Sequence, residues 1–196
     1  PRPTSLPPSF TSAKSKNIMP TTPTNKITLA VRTFPLGTMG VAIANKTIIH
    51  VALLGASKRA ALDLLPEGQC CDTPLSEAFW RLCDTYFASG QDLFASLPVA
   101  MADKATFAGK VYRALRTIPA GDTITYGELA RRIGQPTAAR AVAGALGRNP
   151  TPLILPCHRV VGKTSLGGFS APGGVETKKR LLALEAAARQ DKGPSS

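Results

Sequence analysis

The sequence predicts an α+β chain: a small N-terminal α/β module, then a helical region carrying a helix-turn-helix. Three observations point there. Residues 26–55, KITLAVRTFPLGTMGVAIANKTIIHVALLG, are apolar and β-branched stretches broken only by turn residues. Residues 121–150, GDTITYGELARRIGQPTAARAVAGALGRNP, are punctuated as two short helices across a tight turn. Charge is split, with nine Lys/Arg against seven Asp/Glu in residues 1–103 and fifteen against five in residues 104–196.

The elements follow in order. Residues 1–26, rich in Pro, Ser, Thr and Lys, read as a disordered extension that buries nothing. The 26–55 stretch reads as three strands separated at PLG and NK. SKRAALDLLPEG reads as a short helix ended by Pro66 and Gly68. In LSEAFWRLCDTYFASG, residues Leu75, Phe79, Leu82 and Phe87 share roughly one helical face, Cys83 joins the core and Gly90 stops the helix. These elements make a module over 27–97, and 91–104 reads as a connector.

The second region spans 104–190. ATFAGKVYRALRTIP is an amphipathic helix with Phe107, Val111, Ala114 and Leu115 on one side and Pro119 beyond its end. Thr125 and Glu128 form a T-x-x-E capping box, which starts a helix at Tyr126 and carries it to about Gly134. Gln135 and Pro136 make the turn, and Thr137 caps a second helix running to about Gly147. LIL, residues 153–155, reads as a short buried strand that delivers Cys157 at its end. GGVETKKRLLALEAAARQ is a strong helix former with Leu181, Leu182 and Glu185 at helical spacing.

Composition excludes several classes. The longest apolar runs are far too short to span a bilayer. The N-terminal stretch has basic residues but no apolar segment of the secretory kind. Cys70, Cys71, Cys83 and Cys157 form no disulfide framework, and with His50 they show no metal-ligand spacing. A reduced, intracellular protein without a metal site is therefore expected. The net charge of +12, concentrated in the second half, points to a polyanionic partner such as nucleic acid.

Two segments carry chemistry. In TAARAVAGALG, Arg140 is the lone charge on a helix of Ala and Gly, with Gly144 one turn beyond it. Such a helix suits either a tight helix–helix contact or close approach to a groove with one inserted guanidinium. PCHRV places Cys157, His158 and Arg159 in a row. One reading is a core thiol with two surface neighbours, and the other is a nucleophile with its base. Consecutive side chains diverge, so a bridging water is the natural proton path between Cys157 and His158. Of the carboxylates beyond Cys157, Glu185 is the best placed to orient the imidazole.

PCHRVVG, preceded by ITYGELARRIG, TAARAVAGALGRNP and LIL, resembles the O6-alkylguanine-DNA alkyltransferases (methylated-DNA–protein-cysteine methyltransferases) over residues 105–186. The resemblance implies an RNase H-like N-terminal domain and a winged-helix-like C-terminal domain. It implies Cys157 as alkyl acceptor, His158 as water-bridged base and Glu185 as its carboxylate partner. Asn149 would hold the active-site turn, and Tyr126 would assist nucleotide rotation and protonate the departing guanine oxygen. Arg140 would fill the vacated stack, with Thr137, Ala139 and Gly144 along the same DNA-binding helix in the minor groove. Leu146, Phe169 and Ser170 would line the substrate pocket, Phe169 standing where many members have Tyr.

The implied activity is a single transfer from an everted O6-alkylguanine, or O4-alkylthymine, in duplex DNA, by a monomer placed in a bacterial cytoplasm ahead of a nucleus. The rivals are a non-catalytic lesion-binding protein, a helix-turn-helix regulator and a Cys-His hydrolase.

Overall fold

The computed structural model describes residues 26–190. The expectation for the N-terminal extension falls on residues 1–25, outside the described ones. Strands β1 (Thr28–Phe34), β2 (Gly37–Ala44) and β3 (Thr47–Gly55) form an antiparallel meander. Asn45 and Lys46 both take positive φ, 50° and 57°, the twist that a two-residue hairpin turn requires. Pairing of Thr28 with Ile43 and of Val41 with Val51 sets the register. Between β3 and the next strand lies α1 (Lys58–Asp63), capped by Ser57. A two-residue strand that the sequence reading did not include, β4 (Gln69–Cys70), pairs parallel with β1, and the order is β3-β2-β1-β4.

Helix α2 (Pro74–Ser89) starts at a reciprocal Thr73–Ser76 capping box and ends at Gly90, whose φ is 67°. Its buried face is Phe79, Trp80, Cys83 and Tyr86. Leu75, Leu82 and Phe87 only flank that face. The centre lies toward Trp80 and Tyr86 because α2 packs on β1 and β2 and also on the C-terminal helix. Full burial of a side chain such as Phe79 is worth about 1.5–3 kcal/mol relative to exposure. Segment 91–104 is tied down rather than loose. Phe94 is buried in a single 3-10 turn (Phe94–Ser96), and Ile48 and Ala100 exchange backbone bonds with Pro98 and Ile48 at 2.9 and 2.8 Å.

Helix α3 (Phe107–Leu115) buries Val111, Tyr112 and Leu115. Helix α4 (Tyr126–Arg132) begins at the Thr125–Glu128 capping box. Helix α5 (Ala139–Gly147) follows, and α6 (Gly174–Gln190) closes the described chain. Strand β5 (Ile124–Thr125) pairs parallel with β6 (Val160–Val161) and ties the start of α4 to the segment after Cys157.

Two expectations fail. Thr137 does not cap α5, because the residue at the cap is Ala138 and no side chain bonds there. LIL is not a strand but an irregular turn in which Leu153 takes φ 72° and the Leu155 N–H returns to the Thr151 carbonyl at 2.9 Å. The apolar run is split between two cores. Leu153 and Ile154 join the cluster of Phe34, Trp80 and Leu181, while Leu155 and Cys157 join that of Leu115, Leu129 and Val142. A segment that must face two cores within five residues turns rather than extends.

Candidate active site

That turn places Cys157 at the first residue of a 3-10 turn (Cys157–Arg159), with only 7% of the residue exposed. Asn149 holds it from both ends. Its Nδ2 donates to the Leu155 carbonyl at 2.7 Å and to Cys157 Sγ at 3.1 Å, while its Oδ1 accepts from Thr151 N–H at 3.1 Å. Burial pushes the Cys157 thiol up. The Asn149 amide, the Lys178 charge and the N–H groups of Cys157 and His158 favour the thiolate and offset part of that. The resting group is thus a sheltered thiol that needs a base.

His158 is fully buried, and its Nε2 lies 2.9 Å from Glu185 Oε1. Burial lowers its pKa against the opposing pull of Glu185. A carboxylate accepts only, so Nε2 carries the proton and the neutral ring keeps its lone pair on Nδ1. That Nδ1 is buried and has no hydrogen-bond partner among the described residues. No hydrogen bond joins the His158 imidazole directly to the Cys157 thiol among the described residues, as expected of neighbours whose side chains diverge.

Glu185 receives more donors than the sequence suggested. Tyr86 Oη donates at 2.8 Å, Arg159 Nε at 3.0 Å, Arg159 Nη2 at 2.7 Å and Gly121 N–H at 3.1 Å. Burial alone would raise its carboxyl, but hydrogen bonds and charge from His158 and Arg159 hold it well below the usual range. Arg159 also donates to the Ile118 carbonyl and to Asp92 Oδ2, each at 2.7 Å. Of the PCHR residues, His158 and Arg159 are therefore as buried as the thiol.

Two cavities of about 360 and 340 Å³ meet at Cys157 and share Gly147, Phe169 and Ser170. The second adds Tyr126, Ala143, Leu146 and Gly168. Its size lies within the range of about 300–1,000 Å³ typical of small-ligand clefts. The structure thus gathers Tyr126, Leu146, Phe169 and Ser170 around the thiol. Tyr126 is half-buried and burial raises its pKa, so its hydroxyl stays a donor. Arg140 and Thr137 are exposed, Ala139 and Gly144 half-exposed, and none of the four lines either cavity.

Lys178 was also missed. Fully buried, it donates to the carbonyls of Val160, Leu166 and Gly168 at 2.7, 2.6 and 3.4 Å, clamping the loop that carries Phe169. Its place in a KKR run reads as surface charge, yet it stands three and seven residues before Leu181 and Glu185, on their face. Tyr86, 99 residues from Glu185, leaves no such local signal. Among the described residues no three His, Cys, Asp or Glu side chains cluster as metal ligands, and no helix is long and apolar enough to cross a membrane.

Fold and site together define a protein with a sheltered thiol, a buried imidazole–carboxylate pair behind it and a pair of short helices at its mouth. The family model for the 6-O-methylguanine DNA methyltransferase DNA-binding domain matches residues 106–187. The Mycobacterium tuberculosis OGT solved in complex with DNA is 32% identical, with a TM-score of 0.69 over 82% of this chain and 94% of that one. The O6-methylguanine-DNA methyltransferase of Pyrococcus kodakaraensis superposes with a TM-score of 0.64 at 28% identity, over 80% and 98% of the two chains. The methylated-DNA–protein-cysteine methyltransferase of Haemophilus influenzae is 45% identical over 111 residues, 56% of this chain and 60% of that protein. That of Mycolicibacterium paratuberculosis is 52% identical over 80 residues, or 40% and 47%. The chain thus spans about half the length of the curated relatives it matches. It belongs to the methylated-DNA–protein-cysteine methyltransferase family.

Proposed function

We propose that the protein repairs duplex DNA by moving the alkyl group of an O6-alkylguanine, or an O4-alkylthymine, onto Cys157. The observation that carries this reading is a single arrangement. Cys157 Sγ opens into a cavity walled by Tyr126, Leu146 and Phe169, with the unpartnered Nδ1 of a neutral His158 behind it.

The chemistry follows from these groups. The target oxygen is stacked in the duplex, so the nucleotide turns out at a cost of about a few kcal/mol. His158 Nδ1 takes the Cys157 proton through a bridging water, and Glu185 steadies the imidazolium. The thiolate attacks the alkyl carbon in line; the S–C bond forms as the C–O bond breaks. The Tyr126 hydroxyl protonates the departing oxygen, the released enol relaxes to keto guanine as its proton moves to N1, and Tyr126 recovers its proton from the His158 imidazolium through solvent. Asn149 and Lys178 hold the turn and the loop in place. The product is a thioether, which water does not cleave, so each molecule acts once. No step needs a metal or a cofactor.

DNA docks on α5. The outward residues Ala141, Ala143, Gly144 and Gly147 are small, which lets the helix enter the narrow minor groove, and Arg140 fills the vacated stack. Thr137 and Ala139 lie at the helix start beside the backbone. The protein acts as a monomer inside the cell, in a bacterial cytoplasm ahead of a nucleus. The finer fold is an RNase H-like unit over 27–97, whose core also takes in Leu153, Ile154 and Leu181, and a winged-helix-like unit over 104–190.

The test is incubation with duplex carrying O6-methylguanine labelled in the methyl group. Label should appear on the Cys157 peptide, one per molecule, and vanish in Cys157→Ala. Tight binding of the lesion without transfer would favour a lesion-binding protein, and preference for an undamaged sequence would favour a regulator; either outcome overturns the proposal.

A further inference from the structure

The polar network behind the thiol extends beyond the region that the family model covers. Tyr86 on α2 and Asp92 in the segment after it both lie outside residues 106–187, yet both reach the Glu185–Arg159 pair. Every group in this network is buried or nearly so, with Glu185 and His158 side chains at 0% exposure, Arg159 at 2% and Asp92 at 20%.

The charges explain the arrangement. A lone buried carboxylate beside His158 would draw a proton onto the ring and remove the base. Here the Arg159 guanidinium sits on both Glu185 oxygens, at 3.0 Å through Nε and 2.7 Å through Nη2. Its charge neutralises Glu185, and Oε1 accepts from both Arg159 Nη2 and His158 Nε2. Tyr86 takes a further share of Oε1, and Asp92 holds the other edge of the guanidinium. The groups facing His158 are then Glu185 from α6, Arg159 from its own turn, Tyr86 from α2 and Asp92 from the following segment, with Lys178 beyond Cys157.

We propose that Arg159 and Tyr86 are positioning residues that keep His158 the neutral Nε2–H tautomer, with Asp92 only orienting the Arg159 guanidinium, and that the N-terminal part of the chain thereby completes the base of the transfer reaction. The kinetic arm rests on the alkyl-transfer reading. The spectroscopic arm does not.

The sequence has two histidines, His50 and His158, so ring-labelled histidine in the 196-residue chain gives two assignable sets of NMR signals. In the native protein His158 should show the Nε2–H tautomer from about pH 6 to 8. Arg159→Met should raise its titration by about one pH unit or more, a tenfold change in the protonated fraction. Arg159→Lys should restore part of the shift. Tyr86→Phe should raise the titration less, because Glu185 loses a donor but keeps its ion pair. Asp92→Asn removes a negative charge and should not raise it. The acid limb of the rate with free O6-benzylguanine should move in step.

Titrations of Arg159→Met and Tyr86→Phe that coincide with the native one overturn the proposal. So does an upward shift in Asp92→Asn, which would signal general loosening. If Arg159→Met does not fold, Tyr86→Phe decides alone by the same criterion. Failure of the native protein to take up label from damaged duplex would sink the alkyl-transfer reading while leaving the histidine titration to judge this one.

Discussion

Nε2 of His158 stands 2.9 Å from Oε1 of Glu185, and both side chains are wholly removed from water. The pair belongs to residues 27 apart in sequence, one on the turn after the two cores meet and one midway along α6. Geometry of this kind makes stability and reactivity depend on the same charges.

Stability should therefore fall in acid in two steps. Glu185 is held below its ordinary value, so its contribution is complete above the unfolded carboxyl pKa of about 4.3 and is lost as pH falls through the folded value. His158 is also lowered by burial. The unfolded chain then binds the proton first, and stability declines as pH drops below about 6.5. Glu185→Gln leaves the Arg159 charge without its main partner and should cost about 3–5 kcal/mol at neutral pH. Denaturant melts across this pH range measure both effects. A native profile flat from about pH 7 to 4 would contradict the histidine step, and one flat from about pH 4 to 2 the carboxylate step.

Arg140 is exposed on α5, has no ion pair among the described residues and lines neither cavity at Cys157. Arg140→Ala should slow transfer from duplex by about tenfold or more, the scale of one lost stacking contact of 1–3 kcal/mol. Reaction with free O6-benzylguanine should stay near the native rate. Equal losses on both substrates would place Arg140 in the chemistry instead.

Gly167 takes φ 70°, and a Cβ there would lie 2.7 Å from Tyr126 Oη. Gly167→Ala should push the Tyr126 ring out of the cavity as well as strain the backbone. Both duplex and free-base reactions should slow, while Gly168→Ala, whose Cβ meets nothing within 4 Å, should leave the Tyr126 ring in place. Stopped-flow fluorescence or product assays on the two variants make the comparison.

DNA affinity should fall with salt, with a slope of about −0.9 per phosphate neutralised. Lys163, Arg131 and the start of α5 border one shallow cleft with Tyr126, and removing one such cation should reduce the slope by about one. A flat profile would move the binding surface away from the basic half.

Particular residues show how legible the molecule was. The three strands, the α4 capping box and the Gly90 stop were readable because each depends on neighbours within a few positions. Cys157, His158, Asn149 and Glu185 were readable because their motif spacing matches the family, and the structure brings all four together. Thr137 was misread as a cap because a hydroxyl in the turn is a local signal only, and α5 begins one residue past Ala138 without using it. LIL was misread as a strand because an apolar run does not reveal that it must serve two cores.

The sequence by itself determined the three-strand meander, the start of α4 and the stop of α2, since these rest on backbone propensity and short-range hydrogen bonding, and its motif singled out Cys157 as the candidate nucleophile. Only the tertiary structure decided what surrounds Glu185. Tyr86, Gly121 and Arg159 meet there from segments up to 99 residues apart, because burying one carboxylate obliges the fold to bring donors to it from wherever the chain packs, and Asp92 accepts from the far edge of the guanidinium.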